Sequence, residues 1–342
     1  MKKALFIGGT GTISTAITRR LAEDPAWELW LLNRGNRPEC VPEGVHTLTC
    51  DINDEEAARR VLEDRTFDCV CDFICFVPAQ AERDVRLFEG RTRQFIFISS
   101  ASAYQKPAAS PFVNEGTPLV NPYWQYSRDK IACEEVFVQA ARDRDFPLTI
   151  VRPSHTYDER RIPVGVHGRV GSWQVARRLL EGKPIIIHGD GTSLWTMTHN
   201  SDFARGFVGL MGNVHALGNA FQITSDEVLA WNQIYDCLAR ALGVELKAVH
   251  VSSDFLAAVS NYDLEGNLMG DKAVSVVFDN AKLRRAVPGF HAEVRFDEGI
   301  RRTVEHILAH PELQLEDPEF DAWCDRVIAA RQAAIEGMNV GV

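Results

Sequence analysis

The chain has 342 residues, with 47 acidic side chains against 37 basic ones and a formal net charge of −10. That length suits one large or two modest domains with a sizeable core, and that charge sets the protein against a broad nucleic-acid footprint. No apolar run reaches the ~20 residues of a membrane span, and the strand entered from Met1-Lys2-Lys3 is too short for a signal-peptide core.

In chain order, a short apolar run from Ala4 to Ile7 stops at Gly8-Gly9-Thr10-Gly11. A helical pattern runs from Ile13 to Leu21, and a second apolar run from Leu29 to Leu32 ends at Asn33-Arg34. Strand, glycine turn, helix and strand make the first half of a dinucleotide-binding fold. Gly8 and Gly11 let the backbone turn sharply and approach a pyrophosphate, and the helix behind them aims its amide N–H groups at the same place. Ser14 stands where many such loops carry a third glycine. Further strands are expected at Val45–Thr49, Cys69–Phe73, Gln94–Ile98 and Leu148–Val151, with helices at Asp54–Leu62, Ala79–Phe88 and Tyr126–Arg142. Near-continuous apolar strands alternating with helices indicate a parallel sheet covered on both faces.

After Pro153 the rhythm loosens. Helices are expected at Trp173–Leu180, Ser201–Met211 (capped near Ser201 or Asp202), Leu229–Leu242, Asp254–Ser260, Asn280–Ala286, Asp297–Ala309 and Pro318–Met338, and strands at Pro184–His188 and Ala220–Thr224. The expected organisation is a dinucleotide-binding domain over 1–154, rejoined by a strand near 218–224. A mainly substrate-binding domain follows over 155–311, then a helical extension over 312–342. The fold class is α/β: a doubly wound parallel (Rossmann) sheet with a smaller mixed α/β C-terminal substrate domain. Eight cysteines in a chain this long do not form a disulfide scaffold. Cys69, Cys71 and Cys75 read as small buried residues, no metal site is expected, and the cytoplasm is the natural compartment.

The segment YSRDK puts Tyr126 and Lys130 one helical turn apart on one face. A phenol has a pKa near ~10. An adjacent ammonium stabilises the phenolate, so that Tyr126 can exchange a proton with a substrate hydroxyl as a hydride leaves or joins the neighbouring carbon. Ser99 and Ser100 close the fifth strand, at the end where open parallel sheets bind ligands. Cofactor choice is read at the end of the second strand. There Asn33 replaces the usual acid and Arg34 follows, with Arg37 nearby, so NADP is favoured over NAD. Arg34 as a turn residue that stacks on adenine without selecting is the alternative.

These motifs, GGTGTIS, FISSASAY, YSRDK, TIVRPSHTYD and GDGTSLWTMTHNSDFARGF, resemble in kind and order those of the short-chain dehydrogenase/reductase superfamily, in its extended branch of nucleotide-sugar epimerases and dehydratases. The resemblance covers roughly residues 3–310. It implies Tyr126 as catalytic acid/base and Lys130 as its partner and a ribose ligand, with Ser100 holding the substrate oxygen and Ser99 as the alternative. Cofactor contacts are implied for Gly8, Thr10, Gly11, Thr12 and Ile13 at the pyrophosphate, Asn33 and Arg34 at the ribose, Asp51 and Ile52 at adenine, and Ser99, Lys130 and Pro153 near the reacting end. Ser102, His155, Tyr157 and Trp195 are the substrate-side candidates, His155 and Trp195 being equally readable as packing residues.

Departures from the branch bear on the reaction. Ala101 and Ser102 stand where sugar-nucleotide dehydratases carry Asp-Glu, which argues against loss of water. Trp195 and Leu268 fall where two arginines hold a diphosphate, which weakens a nucleotide-sugar substrate unless Arg152, Arg160, Arg161 or Arg169 substitutes. The expectation is an NAD(P)-dependent oxidoreductase or epimerase acting on a hydroxyl or keto carbon of a sugar or sugar-like small molecule. Neither nucleic acid nor membrane is an expected partner, and a homodimer is compatible with the sequence. The alternatives are an RNA-binding protein on the same fold, as in chloroplast stem-loop-binding relatives of the superfamily, and a cofactor-binding regulator without turnover.

Overall fold

Short apolar strands followed by glycine or polar turns leave each strand end open, and the helices that follow return the chain across a face of the sheet. The computed structural model describes residues 1–338; residues 339–342, the end of the expected extension, lie outside them. The longer strands are β1 (Lys2–Ile7), β2 (Trp27–Asn33), β3 (His46–Thr49), β4 (Cys69–Asp72), β5 (Phe95–Ile98), β6 (Leu148–Pro153), β7 (Ile185–His188), β8 (Asn219–Ile223) and β9 (Ala248–Val251). Seven of them form one sheet in the order β8-β6-β5-β4-β1-β2-β3, every pairing parallel. Ala4 of β1 sits opposite Leu29 on one side and Cys69 on the other.

Helices α1 (Ser14–Ala22), α2 (Glu55–Val61), α3 (Pro78–Phe88), α4 (Gln125–Arg144) and α6 (Asn200–Leu210) cover the two faces, with α5 (Trp173–Leu180) lying elsewhere. One face is sealed by Ile17 and Leu21 of α1 with Phe203, Phe207 and Leu210 of α6. The other is sealed by Ala58 of α2, Val85 and Phe88 of α3, and Cys133 and Phe137 of α4. Burying both faces removes apolar surface at about 25 cal/mol per Å² and accounts for the apolar interiors of β1 and β5. Asp54 caps α2 by accepting from the Ala57 amide at 3.0 Å. The cap of α6 is His199, whose ring nitrogen accepts from the Ser201 amide at 3.3 Å. A cap at Ser201 or Asp202 is therefore corrected by two or three residues, because imidazole nitrogen serves as the acceptor that a hydroxyl or carboxylate usually supplies.

The chain divides into two compact units. The first comprises Met1–Thr156, Thr198–Asp226 and Phe278–Glu293 and holds the seven-stranded sheet. The second comprises Tyr157–Met197, Glu227–Val277 and the residues from Val294 onward. In the second unit β7 and β9 pair in parallel amid α5, α7 (Trp231–Leu242), α8 (Ser253–Ala258), a π-helix over Glu265–Lys272, α10 (Phe296–Ala309) and α11 (Pro318–Met338); α9 (Ala281–Ala286) belongs to the first unit. Helix α11 is fastened to α5 by Arg178, a fully buried side chain that reaches Asp321 at 2.7 Å and Asp325 at 2.6 Å. No helix among the described residues is long and apolar enough to cross a membrane.

Candidate active site

The glycine turn behaves as its residue types require. Gly8 has φ +77°, and a Cβ there would meet Ile74 Cγ2 at 2.6 Å. Gly9 is equally constrained, since a Cβ would strike Leu31 Cδ2 at 2.6 Å. Ser14 uses its hydroxyl where a glycine would leave space: Oγ accepts from the Gly11 amide at 2.8 Å and donates to the Gly8 carbonyl at 2.8 Å. The Thr12 carbonyl accepts from Asn200 Nδ2 at 3.3 Å, and Ile13 stands at the head of α1.

In front of this turn lies a cavity of about 680 Å³, lined in part by Gly8, Thr10, Gly11, Asn33, Arg34, Asp51 and Ile52. Leu32, Asn36, Arg37, Cys50, Asn53, Ile74, Phe76 and Gln80 complete the lining. Apart from Arg37, these lay beyond what sequence motifs could single out. Thr12, Ile13, Ser99, Lys130 and Pro153 are not among its walls. Asn33 Oδ1 accepts from the Gly35 amide at 2.9 Å and so holds the turn that presents Arg34. Arg34 and Arg37 are exposed, and Arg37 donates to the Thr10 carbonyl at 3.4 Å. Two guanidinium groups beside a neutral Asn33 suit an extra phosphate in charge and geometry.

Beyond the turn, α4 carries Tyr126 and Lys130. Lys130 is 2 % exposed, and its ammonium donates to the carbonyls of Cys75, just past the C-terminal end of β4, and Ile98, the last residue of β5, at 2.6 and 2.7 Å. The rings of Phe76, Phe97 and Tyr126 lie 4.7, 5.1 and 5.8 Å from it. Burial pushes its pKa below the usual 10.5; the carbonyls and rings favour the cation that burial penalises. Tyr126 is half-buried with its ring 5.0 Å from that of Trp124.

The two serines separate clearly. Ser99 is buried and donates to Glu134 at 2.5 Å. Ser100 is half-buried, its hydroxyl 2.8 Å from that of Ser102, which in turn accepts from Ser127 at 2.7 Å. Ser102 is itself buried, so its contacts are with those two hydroxyls. Pro153 ends β6 and is buried, and His155 just beyond it is half-buried.

Tyr157 and Trp195 belong to the second unit, and both are buried. Tyr157 meets Phe296 edge-on at 5.6 Å, and its hydroxyl abuts Gly299, where no Cβ would fit. Trp195 stacks on Trp231 at 5.8 Å with the Lys272 ammonium 5.9 Å from its ring, and its indole N–H has no acceptor among the described residues. Leu268 is buried in the π-helix. Of the arginines considered as diphosphate ligands, Arg152 is committed to Glu134 by contacts of 2.9 and 2.6 Å, and Arg160 to Asp158 at 2.8 Å. Arg161 contacts His167 at 3.2 Å, and Arg169 donates to the Asn261 carbonyl at 2.6 Å.

Residues 4–224 match the pattern of the NAD dependent epimerase/dehydratase family. The chain belongs to that family. It is an enzyme of the extended short-chain dehydrogenase/reductase type, whose chemistry depends on a nicotinamide dinucleotide. The chain is 26% identical over 301 residues to 2'-dehydrokanamycin reductase of Streptomyces kanamyceticus, covering 84% of this chain and 80% of the relative. It is 25% identical over 265 residues to the chloroplast stem-loop binding protein of 41 kDa b of Arabidopsis thaliana, covering 73% and 66%. Its fold matches UDP-glucuronic acid 4-epimerase from Bacillus cereus, solved with UDP-glucuronic acid and NAD, at a TM-score of 0.72 and 18% identity over 90% of this chain and 99% of that one.

Proposed function

We propose that this family member is an NADP-dependent oxidoreductase acting at a hydroxyl or keto carbon of a carbohydrate or carbohydrate-like small molecule, with Tyr126 as acid/base. The observation that carries this reading is Lys130, a buried cation seated on carbonyls at the ends of β4 and β5 and one turn from Tyr126. A nicotinamide dinucleotide fits the residues present. The backbone at Gly8 leaves a cradle that a Cβ would fill, and Arg34 and Arg37 line the far wall. Gly8 to Ile13 would hold the pyrophosphate, Asn33 and Arg34 the phosphorylated ribose, Asp51 and Ile52 the adenine, and Ser99, Lys130 and Pro153 the region of the reacting ring. When bound, the dinucleotide supplies or accepts the hydride.

The chain's own residues do the rest. Lys130 stabilises the phenolate of Tyr126. Tyr126 Oη takes the proton from the substrate hydroxyl in oxidation and returns it to the oxygen in reduction. Ser100 donates a hydrogen bond to the same oxygen, and the hydroxyls of Ser102 and Ser127 orient it. Reduction is favoured over epimerisation, because a site that selects NADP draws on a pool that exchanges between turnovers. The reductase relative, similar along 84% of this chain, supports the same direction. Trp195 and Leu268 at the two positions named above support a substrate without a nucleotide diphosphate.

The test is a panel of sugars, keto-sugars, aminoglycosides and nucleotide sugars, assayed by cofactor absorbance for redox and by product chromatography for epimerisation. Turnover of a sugar with NADPH consumption bears the proposal out. Redox-neutral epimerisation with tightly retained NAD overturns both the cofactor and the reaction. A second reading, RNA binding, draws support from the stem-loop-binding relative; the charge of −10 opposes it, and a salt-dependent shift of labelled RNA would revive it.

A further inference from the structure

Beneath the cavity, and outside every motif considered so far, lies a cluster of buried charge. Asp72 ends β4, and Arg83 and Asp84 sit side by side on α3. Asp72 and Asp84 are fully buried, and Arg83 is 4 % exposed. The guanidinium donates to Asp84 Oδ1 from Nε at 2.9 Å and from Nη2 at 2.7 Å, and to Asp72 Oδ2 at 3.2 Å. Two carboxylates against one cation leave the site one charge out of balance. Among the described residues Asp84 Oδ2 receives no donor. Burial first, and then the nearby Asp72 carboxylate, push the Asp84 carboxyl well above its ordinary range.

Buried ionic groups of this kind are costly, and replacing them with apolar residues is often neutral or stabilising. Their use here is visible in what they hold. The remaining arm of Arg83 leaves the core and donates to Asn53 Oδ1 at 2.8 Å, in the loop after β3 whose residues 51–53 line the cavity. Gln80, one turn earlier on α3, donates to the same oxygen at 3.4 Å and accepts from the Phe76 and Val77 amides at 2.6 and 3.3 Å. On the opposite side of the cluster, Asp72 Oδ1 accepts from the Ile74 amide at 2.6 Å, and Ile74 is the side chain that packs over Gly8. One guanidinium and its acids thus connect three walls of a single cavity: the loop at 51–53, the segment 74–80, and, through Ile74, the glycine turn.

We infer that Arg83, with Asp72 and Asp84, is a positioning group for the cofactor: a brace that holds Asn53 and Ile74 at the separation the dinucleotide requires. Arg83 does not touch the ligand; it acts through Asn53. The inference rests on the assignment of this cavity to the cofactor.

The experiment measures NADP dissociation constants for the intact protein by fluorescence titration. Arg83→Met keeps the apolar stem and removes the fork. It should raise Kd about tenfold or more, the loss expected for a charge-assisted hydrogen bond. The change should fall on cofactor KM and not on kcat, with faster amide exchange at 51–53. Asn53→Ala cuts the same link from the exposed end and leaves every buried group in place. The double variant should bind no worse than Arg83→Met, because one link cannot be cut twice. Arg86→Met, which removes the exposed pair between Arg86 and Glu55 on the same helix, controls for general weakening of α3 and should leave Kd within about twofold. A folded Arg83→Met protein with wild-type Kd overturns the inference, as do fully additive losses. If Arg83→Met does not fold, an unchanged Kd in Asn53→Ala overturns it alone. Wild-type protein that binds neither dinucleotide overturns the cofactor assignment itself and the inference with it, a result seen before any variant is made.

Discussion

The first unit repeats one local rule, strand then turn then helix, and its candidate site groups stand where strands end. Asp72, Ser99 and Ser100, and the carbonyls that seat Lys130, all lie at or just past the C-terminal edge of one parallel sheet. The second unit has no such repeat. It is held by an aromatic cluster of Trp195, Trp231 and Tyr235 and by the buried Arg178. The contrast separates two ways of building a protein. Where topology repeats, position along a strand forecasts chemistry; where it does not, each contact is particular and has to be seen.

The strongest way to break this contrast is to attack the two units where each concentrates its function. Tyr126→Phe, in the first unit, keeps the ring and deletes the oxygen proposed to transfer the proton. Turnover should fall by about 10²–10⁴-fold with cofactor Kd little changed, while Lys130→Ala should harm both. A Tyr126→Phe enzyme with near-wild-type kcat would show that Tyr126 is not the acid/base.

Arg178→Met probes the second unit. Removing one partner of a buried pair leaves Asp321 and Asp325 facing an apolar stem, so unfolding free energy should drop by about 3 kcal/mol, the lower end for such a loss because Asp325 is half exposed. Denaturant titration measures it. A change below about 0.5 kcal/mol would mean that α11 is fastened without Arg178, by its aromatic side chains and the Lys183–Asp321 pair.

A pH titration sharpens the same distinction. Burial lowers His167 and His188, both in the second unit, from the ordinary 6.5 to about 4. Groups whose folded pKa is depressed contribute stability above the unfolded pKa and lose it as pH falls toward the folded one. The loss should therefore run from about pH 6.5 down to about pH 4, reaching about 2 kcal/mol per histidine at pH 5. His188→Gln should flatten the slope. An unchanged slope would place the acid sensitivity elsewhere.

The smallest effect returns to the cofactor. Arg34→Glu should weaken NADP about tenfold by removing a charge-assisted contact and adding repulsion, with NAD affected less. Equal losses for both would show that Arg34 does not select.

How far these features were legible follows the same division. The glycine turn, the parallel sheet and the Tyr126–Lys130 pair announce themselves through spacing, and α5 and α11 fall on the expected residues. Arg83 escaped notice because a charged residue in a polar helix reads as solvent-facing; only the sheet behind it reveals the burial. The π-helix over Glu265–Lys272 escaped because EGNLMGDK has two glycines and no apolar repeat. Arg152 was readable as a cation but not as one already bound, since its partner Glu134 lies on another element. The return of residues 278–293 to the first unit has no local signal at all.

One feature of the glycine turn reaches further than its geometry. Because Ser14 Oγ accepts from the Gly11 amide and donates to the Gly8 carbonyl, the loop is wound by the protein's own groups. Little conformational freedom remains to be surrendered on binding. But a donor satisfied within the protein gains less from a phosphate oxygen than one that was waiting in water. Affinity at this end of the cavity is then set by organisation more than by the number of amides offered, and a serine in the third glycine's place exchanges reach for readiness.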